Sequence, residues 1–226
     1  MNEFFSGPHE VPTEVKDKAL VRKRRRQIVD AAVALFIQNG YHKTTTRQIA
    51  RATGFSIGSL YEYVSTKEDI LYLVCDAIHA EMEANVDAVL ARQEPGMAAL
   101  AGAVRGYFTA CDHMSDHIVL IYQVTQFLPD KWKQRVLANE IRVTGIFRDL
   151  LEKIAGGSSL PPHDDRRLDL IAHNIAVLGH AWAFRRWFYA GHYSLEEYIA
   201  FQTENIINAF AARKQNQDAQ HKESRQ

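Results

Sequence analysis

The chain has 226 residues, 46% of them hydrophobic, with 27 Lys and Arg against 27 Asp and Glu. That length can bury one large or two small cores, and that hydrophobic share excludes global disorder. The zero net charge hides a partition: residues 16–67 hold eleven bases and three acids, residues 1–15 three acids and no base, and residues 68–226 sixteen bases and twenty-one acids. A short basic segment on a neutral to acidic body marks one part of the chain for contact with nucleic acid. No apolar run reaches the roughly 18 residues of a spanning helix, and the start MNEFFSGPHEVPTEVK is acidic and broken by proline, unlike a secretory signal. Two cysteines, Cys75 and Cys111, make no disulfide framework. A cytoplasmic protein with no membrane partner is expected.

In chain order, residues 1–15 form an expected mobile tail. Ile28, Ala31, Ala32, Leu35 and Phe36 recur at helical spacing over 21–39, and Asn39-Gly40 supplies the stop. Thr45 or Thr46 can cap a short helix over 46–53 with Ile49 and Ala50 turned inward. Gly54 ends it, and Ser56 caps a second short helix over 57–63 carrying Leu60 and Val64 on its buried side. Ser65-Thr66-Lys67-Glu68 opens a long helix over 66–92, striped by Ile70, Leu71, Val74, Ala77, Ile78, Met82, Val86 and Val89. Further helices are expected over 97–112, 114–127, 131–155, 164–190 and 194–213. Gly156-Gly157-Ser158-Ser159 with Pro161-Pro162 reads as a loop, His163, Asp164 and Asp165 as a loop and helix cap, and 214–226 as a second tail. Strand signals are scarce. The expected fold is all-α with about nine helices.

Two short helices joined by a glycine turn describe a helix-turn-helix, whose second helix enters the DNA major groove. The segment TTTRQIARATGFSIGSLYEYVSTKEDIL, residues 44–71, resembles the DNA-binding domain of the TetR family of transcriptional repressors. The resemblance is close over 21–72; the family usually has an aromatic side chain where this chain has Val64. It implies a homodimer in which residues 16–67 form a three-helix DNA-binding domain. Residues 68–213 form a larger helical domain that binds a small molecule and dimerises. It also implies that ligand binding releases a palindromic operator. Matched residue by residue, it makes Thr46 a phosphate contact and Arg47 a base or phosphate contact. Ser56, Ile57, Gly58 and Ser59 open the recognition helix. Tyr61 is its groove-facing tyrosine, Tyr63 its phosphate-contacting aromatic and Lys67 its phosphate-binding lysine, while Glu62 holds a position that often faces DNA. Half-buried packing is the competing reading for each tyrosine. The run Arg22-Lys23-Arg24-Arg25-Arg26 is either a phosphate-facing helix start or a solvated one.

In the body, LIAHNIAVLGHAWAFRRWFYAG and SLEEYIAFQTENIINAF are apolar on more than one face and must be buried. The resemblance implies that they pair with their mates, with Ile175, Leu178, Tyr198, Gln202, Asn205, Ile206 and Phe210 at the dimer interface. Ser194 with Glu197 makes a capping box, and Gly179 permits close helix approach or, alternatively, leaves a ligand-facing gap. Candidate effector contacts are Phe108, Tyr122, Phe127, Trp132, Ile146, Phe147, Leu150, Asn174, Trp182 and Arg186; core packing is the competing reading for each. A mostly apolar site fits a lipophilic effector. The stretch HAWAFRRWFYAGHYSLEEYIAFQTENII resembles the acyl-CoA-responsive branch of the family, and Arg105, Arg185 and Arg186 can serve CoA phosphates or lie as surface charges.

His113 and His117, one helical turn apart, can share a metal or simply be exposed polarity. Cys75 reads as a buried hydrophobe and Cys111 as the same or a reactive thiol. No phosphate loop, dinucleotide glycine pattern or catalytic triad motif is present, so no cofactor and no enzyme activity are expected. The function expected is a ligand-responsive, DNA-binding repressor. A repressor of efflux answering to drug-like compounds, a metal-dependent enzyme and a constitutive architectural DNA binder are the alternatives.

Overall fold

The computed structural model describes residues 11–91, 94–157 and 165–211. The tail over 214–226, residues 1–10, Ser158 and Ser159, the Pro161-Pro162 pair and the His163-Asp164 cap lie outside the described residues. Among the described residues the chain is all-helical: α1 Lys18–Asn39, α2 Thr46–Thr53, α3 Ile57–Tyr61, α4 Lys67–Leu90, α5 Met97–His113, α6 Ser115–Val124, α7 Asp130–Gly157, α8 Asp165–Phe184, α9 Arg186–His192 and α10 Leu195–Ala211. A single 3-10 turn, Thr125–Phe127, follows α6. The helix expected over 164–190 is therefore two. The chain turns at Arg185 (φ −106°, ψ 19°), whose carbonyl then accepts from Phe188 and Tyr189 at 2.8 and 2.9 Å to start α9. Neither glycine nor proline marks that turn.

The chain forms two compact units. Among the described residues, one is 11–80 with Asp116–Glu140; the other is 81–91 and 94–115 with 141–157 and 165–211. In the first unit α1 begins at Asp17, whose carboxylate accepts from the Ala19 and Leu20 amides at 2.9 and 3.0 Å, filling two of the orphan donors of a helix start. Val21, Ile28, Val29, Ala32 and Phe36 are its buried face. The start of α4 is fixed by a reciprocal cap. The Thr66 hydroxyl accepts from the Asp69 amide at 3.0 Å, and Asp69 Oδ2 accepts from the Thr66 and Ser65 amides at 2.9 and 3.1 Å. The other oxygen of Asp69 accepts from Trp132 Nε1 at 2.9 Å, so α7 is tied to that cap.

In the second unit α5, α8 and α10 pack together. Gly179 of α8 makes this possible: a Cβ there would lie 2.7 Å from the Tyr107 ring and 2.9 Å from Cys111 Sγ, both on α5. The expected close approach at Gly179 is thus present. No helix among the described residues is long and apolar enough to cross a membrane.

Candidate nucleic-acid interface

The short helices α2 and α3 owe their existence to their caps. Thr45 and Gln48 form a capping box on α2, and Gly54 closes that helix in the left-handed region at φ 74°, where a side chain would be strained. Ser56 then accepts from the Ser59 amide at 3.0 Å and opens α3. Beneath lie Ile49, Ala50, Leu60 and Val64, none more than 3% exposed. With that underside buried, Arg47, Ser56, Ile57, Gly58, Tyr61 and Glu62 are left exposed, and Thr46 and Ser59 half-buried. Ile57 and Tyr61 are large side chains 39% and 48% exposed, in a position that packing does not explain. The Tyr61 hydroxyl is 3.2 Å from Thr46 Oγ1, which joins the start of α2 to the end of α3 across the turn.

Two other expected DNA contacts are engaged within the protein. Tyr63 is only 6% exposed, its ring 6.4 Å from that of Phe55. Lys67 Nζ donates to the Tyr41 carbonyl at 2.6 Å and lies 4.0 Å from the centre of the Tyr41 ring. Burial lowers the pKa of the Lys67 ammonium, with the neighbouring Glu68 opposing the shift. The Tyr41 hydroxyl donates to Glu68 at 3.1 Å, and burial, reinforced by that carboxylate, pushes its pKa well up. In the basic run of α1, Arg24 lies over the Phe55 ring, Arg26 pairs with Asp30 at 3.0 Å and Arg25 binds backbone carbonyls. Of the tail expected over 1–15, residues 11–15 are described and lie against this head, with Val11 2% exposed. Sequence reading missed Arg25, Thr13 and Asp69 as supports of the head, because their partners are backbone groups or a distant tryptophan.

The structure distributes the expected effector contacts over both units. In the first, Phe127 stacks on Tyr41 (6.0 Å between ring centres) and meets His42 edge-on at 4.3 Å. Trp132 stacks on Tyr72 at 4.1 Å, and Tyr122 is 50% exposed. In the second, Phe108, Phe147 and Trp182 join one ring cluster with Tyr107, Tyr189 and Tyr198. Trp182 Nε1 and Arg186 converge on Asp112, at 2.8 and 3.6 Å from its Oδ1. Tyr107 meets the buried His180 at 2.8 Å. Leu150 and Ile146 line a groove of about 520 Å³ with Leu90, Asp87, Asp149 and Lys153, and Asn174 is exposed. Arg105 pairs with Glu196, and Arg185 lies over the Trp187 ring.

Of the residues expected at the dimer interface, Ile175, Tyr198, Ile206 and Phe210 are buried within the protomer. Asn205 is exposed, and Leu178 and Gln202 are half-buried. The most exposed large apolar side chains of α8 and α10 are Leu170, Val177 and Phe201, each at least 57% exposed, with Phe184 at 37%. Cys75 and Cys111 are both fully buried, and burial pushes the Cys75 thiol up to about 12. Among the described residues no three His, Cys, Asp or Glu side chains converge as a metal site.

Two capped helices set at a left-handed glycine turn, with an exposed face of hydroxyls, an arginine and a tyrosine, define a helix-turn-helix DNA reader. The family model for bacterial regulatory proteins of the tetR family matches residues 28–72. The HTH-type transcriptional regulator HbdR of Aromatoleum sp. (strain CIB) is 30% identical over 195 residues, 86% of this chain and 84% of that one. A bacterial regulatory protein in the tetR family from Rhodococcus RHA1 has a similar fold, with a TM-score of 0.70 at 24% identity over 84% of this chain and 97% of that one. AibR, solved in complex with isovaleryl coenzyme A and operator DNA, gives a TM-score of 0.63 at 17% identity over 80% of this chain and 96% of that one. The chain belongs to the TetR family of transcriptional regulators, a family of regulators and not of enzymes.

Proposed function

We propose that this chain is a cytoplasmic, homodimeric repressor. Residues 16–67 read a palindromic operator, and residues 68–213 dimerise and bind a lipophilic effector that releases the DNA. The observation that carries the DNA reading is the exposed face of α2 and α3 over a fully buried underside. Thr46, Arg47, Ser56, Ile57, Gly58, Ser59, Tyr61 and Glu62 are the contacts. Arg47 and the hydroxyls meet phosphates, and the early residues of α3 meet base edges. Lys67 and Tyr63 reach DNA only through whatever part of each side chain its own packing leaves open. Leu170, Val177 and Phe201 join Leu178, Gln202 and Asn205 as the dimer contacts, since side chains already buried in one protomer cannot be buried again by a second.

The effector is an acyl-CoA thioester. What supports this is Arg105, Arg185 and Arg186 in the unit that holds the apolar ring cluster of Phe108, Phe147 and Trp182; those rings pack on one another and must part to admit an acyl chain. AibR, of similar fold, was solved with such a thioester. The switch is α4, one unbroken helix from Lys67 to Leu90 of roughly 36 Å. A ligand that prefers one setting of this helix shifts the population of heads able to read two half-sites, by no more than its differential affinity for the two states. One observation favours a second reading: the groove at Leu90, Ile146 and Leu150 carries Asp87 and Asp149, which suits a lipophilic cation. Thermal-shift titration with isovaleryl-CoA, longer acyl-CoAs and lipophilic cations separates the two. Stabilisation that grows with thioester concentration is expected; stabilisation by cations alone selects the second reading.

A further inference from the structure

Arg25 lies in the middle of the basic run of α1, where charge alone assigns it to DNA phosphate. Its guanidinium is committed elsewhere. Nε donates to the Tyr63 carbonyl at 3.0 Å, and Nη2 donates to the carbonyls of Val11 at 2.5 Å and Pro12 at 3.3 Å. Beside it the Thr13 hydroxyl donates to the Glu62 carbonyl at 2.7 Å and accepts from the Val15 amide at 3.3 Å. Val11 is 2% exposed, so this short irregular segment is packed as well as hydrogen-bonded. Glu62 and Tyr63 directly follow α3, a helix of five residues. Their carbonyls lie just past its C-terminal end, where a cation is favourable.

We propose that Val11–Thr13 and Arg25 form a strap that holds the recognition helix at its reading angle, and that Arg25 is a positioning residue for DNA binding rather than a phosphate contact. A helix of five residues has too few internal bonds to hold its own direction. The strap fixes its far end from two sides, and the planar fork of arginine reaches three carbonyls that a lysine cannot span. This rests on the reading of α3 as the DNA-contacting helix.

The test uses the full chain and a fluorescent duplex selected by the unmodified protein from a random-sequence pool, with affinity measured over a series of salt concentrations. Thr13→Val, which changes no charge, is expected to weaken binding about five-fold, the worth of one hydrogen bond. Arg25→Ala is expected to weaken it further at an unchanged log–log salt slope, and Arg25→Lys to fail as a rescue. A slope reduced by about 0.9 in Arg25→Ala, the signature of one lost phosphate, overturns the proposal. So does full rescue by Arg25→Lys, or unchanged affinity of Thr13→Val. If circular dichroism shows Arg25→Ala to be unfolded, Thr13→Val and Arg25→Lys decide the matter. Failure of the unmodified chain to select any duplex overturns the DNA reading, and the strap with it; intact binding by every variant overturns the strap alone.

Discussion

Asp69 is 3% exposed and accepts from two backbone amides and an indole N–H. Asp69→Ala is expected to destabilise the protein by about 3 kcal/mol, since it leaves buried donors unpaired. Trp132→Phe removes one of those bonds and is expected to cost about 1 kcal/mol. Urea unfolding at constant slope measures both. Gly179→Ala sets a methyl 2.7 Å from the Tyr107 ring and is expected to cost about 1–3 kcal/mol by overpacking. The sequence foretold Gly179 because a glycine inside an apolar helix has few other uses. It did not single out Asp69: its partner Trp132 is 63 residues away, and sequence spacing says nothing about such a pair. Tyr63 and Tyr61 are two residues apart and alike in sequence. Packing separates them: Tyr63 is 6% exposed, beside Phe55, and Tyr61 is 48% exposed.

Among the elements, the helix-turn-helix was legible because every signal for it is local: a cap at Thr45, a stop at Gly54, a cap at Ser56. The break between α8 and α9 was not, because it occurs at Arg185 with no breaker residue. The start of α10 was legible in the same way as α2. The Ser194 amide and hydroxyl donate to Glu197 at 2.8 and 2.7 Å, and those two bonds hold the carboxyl below its ordinary pKa. A carboxylate whose pKa is depressed on folding adds stability above its unfolded pKa, and loses it as pH falls through the folded value. The first turn of α10 is therefore expected to fray on acidification below the ordinary carboxylate range. Amide hydrogen exchange of Tyr198 and its neighbours, compared between the wild type and Glu197→Gln, measures this; a pH response that survives in Glu197→Gln contradicts it.

For the whole molecule, the partition of charge points to the end proposed to meet phosphate, since eleven of the 27 basic residues lie within 16–67. Charge alone does not show that Arg24, Arg25, Arg26 and Lys67 all have partners within the protein. The residues proposed to meet an effector were the least legible. Aromatic side chains at helical spacing are alike on paper, yet Phe127 stacks on the head at Tyr41 while Phe147 lies in the ring cluster of the other unit. Dimerisation through Leu170, Val177 and Phe201 predicts that Val177→Glu with Phe201→Glu yields a folded monomer by sedimentation, with operator affinity strongly reduced. The most direct test of the account is titration of a selected duplex by the wild type, Arg47→Ala and Tyr61→Ala over a range of salt. Wild-type affinity is predicted to fall by about 10³-fold or more between roughly 50 and 200 mM salt, and both variants to bind more weakly at unchanged helicity. A nearly flat salt response, or variants that lose helicity in step with affinity, would contradict it.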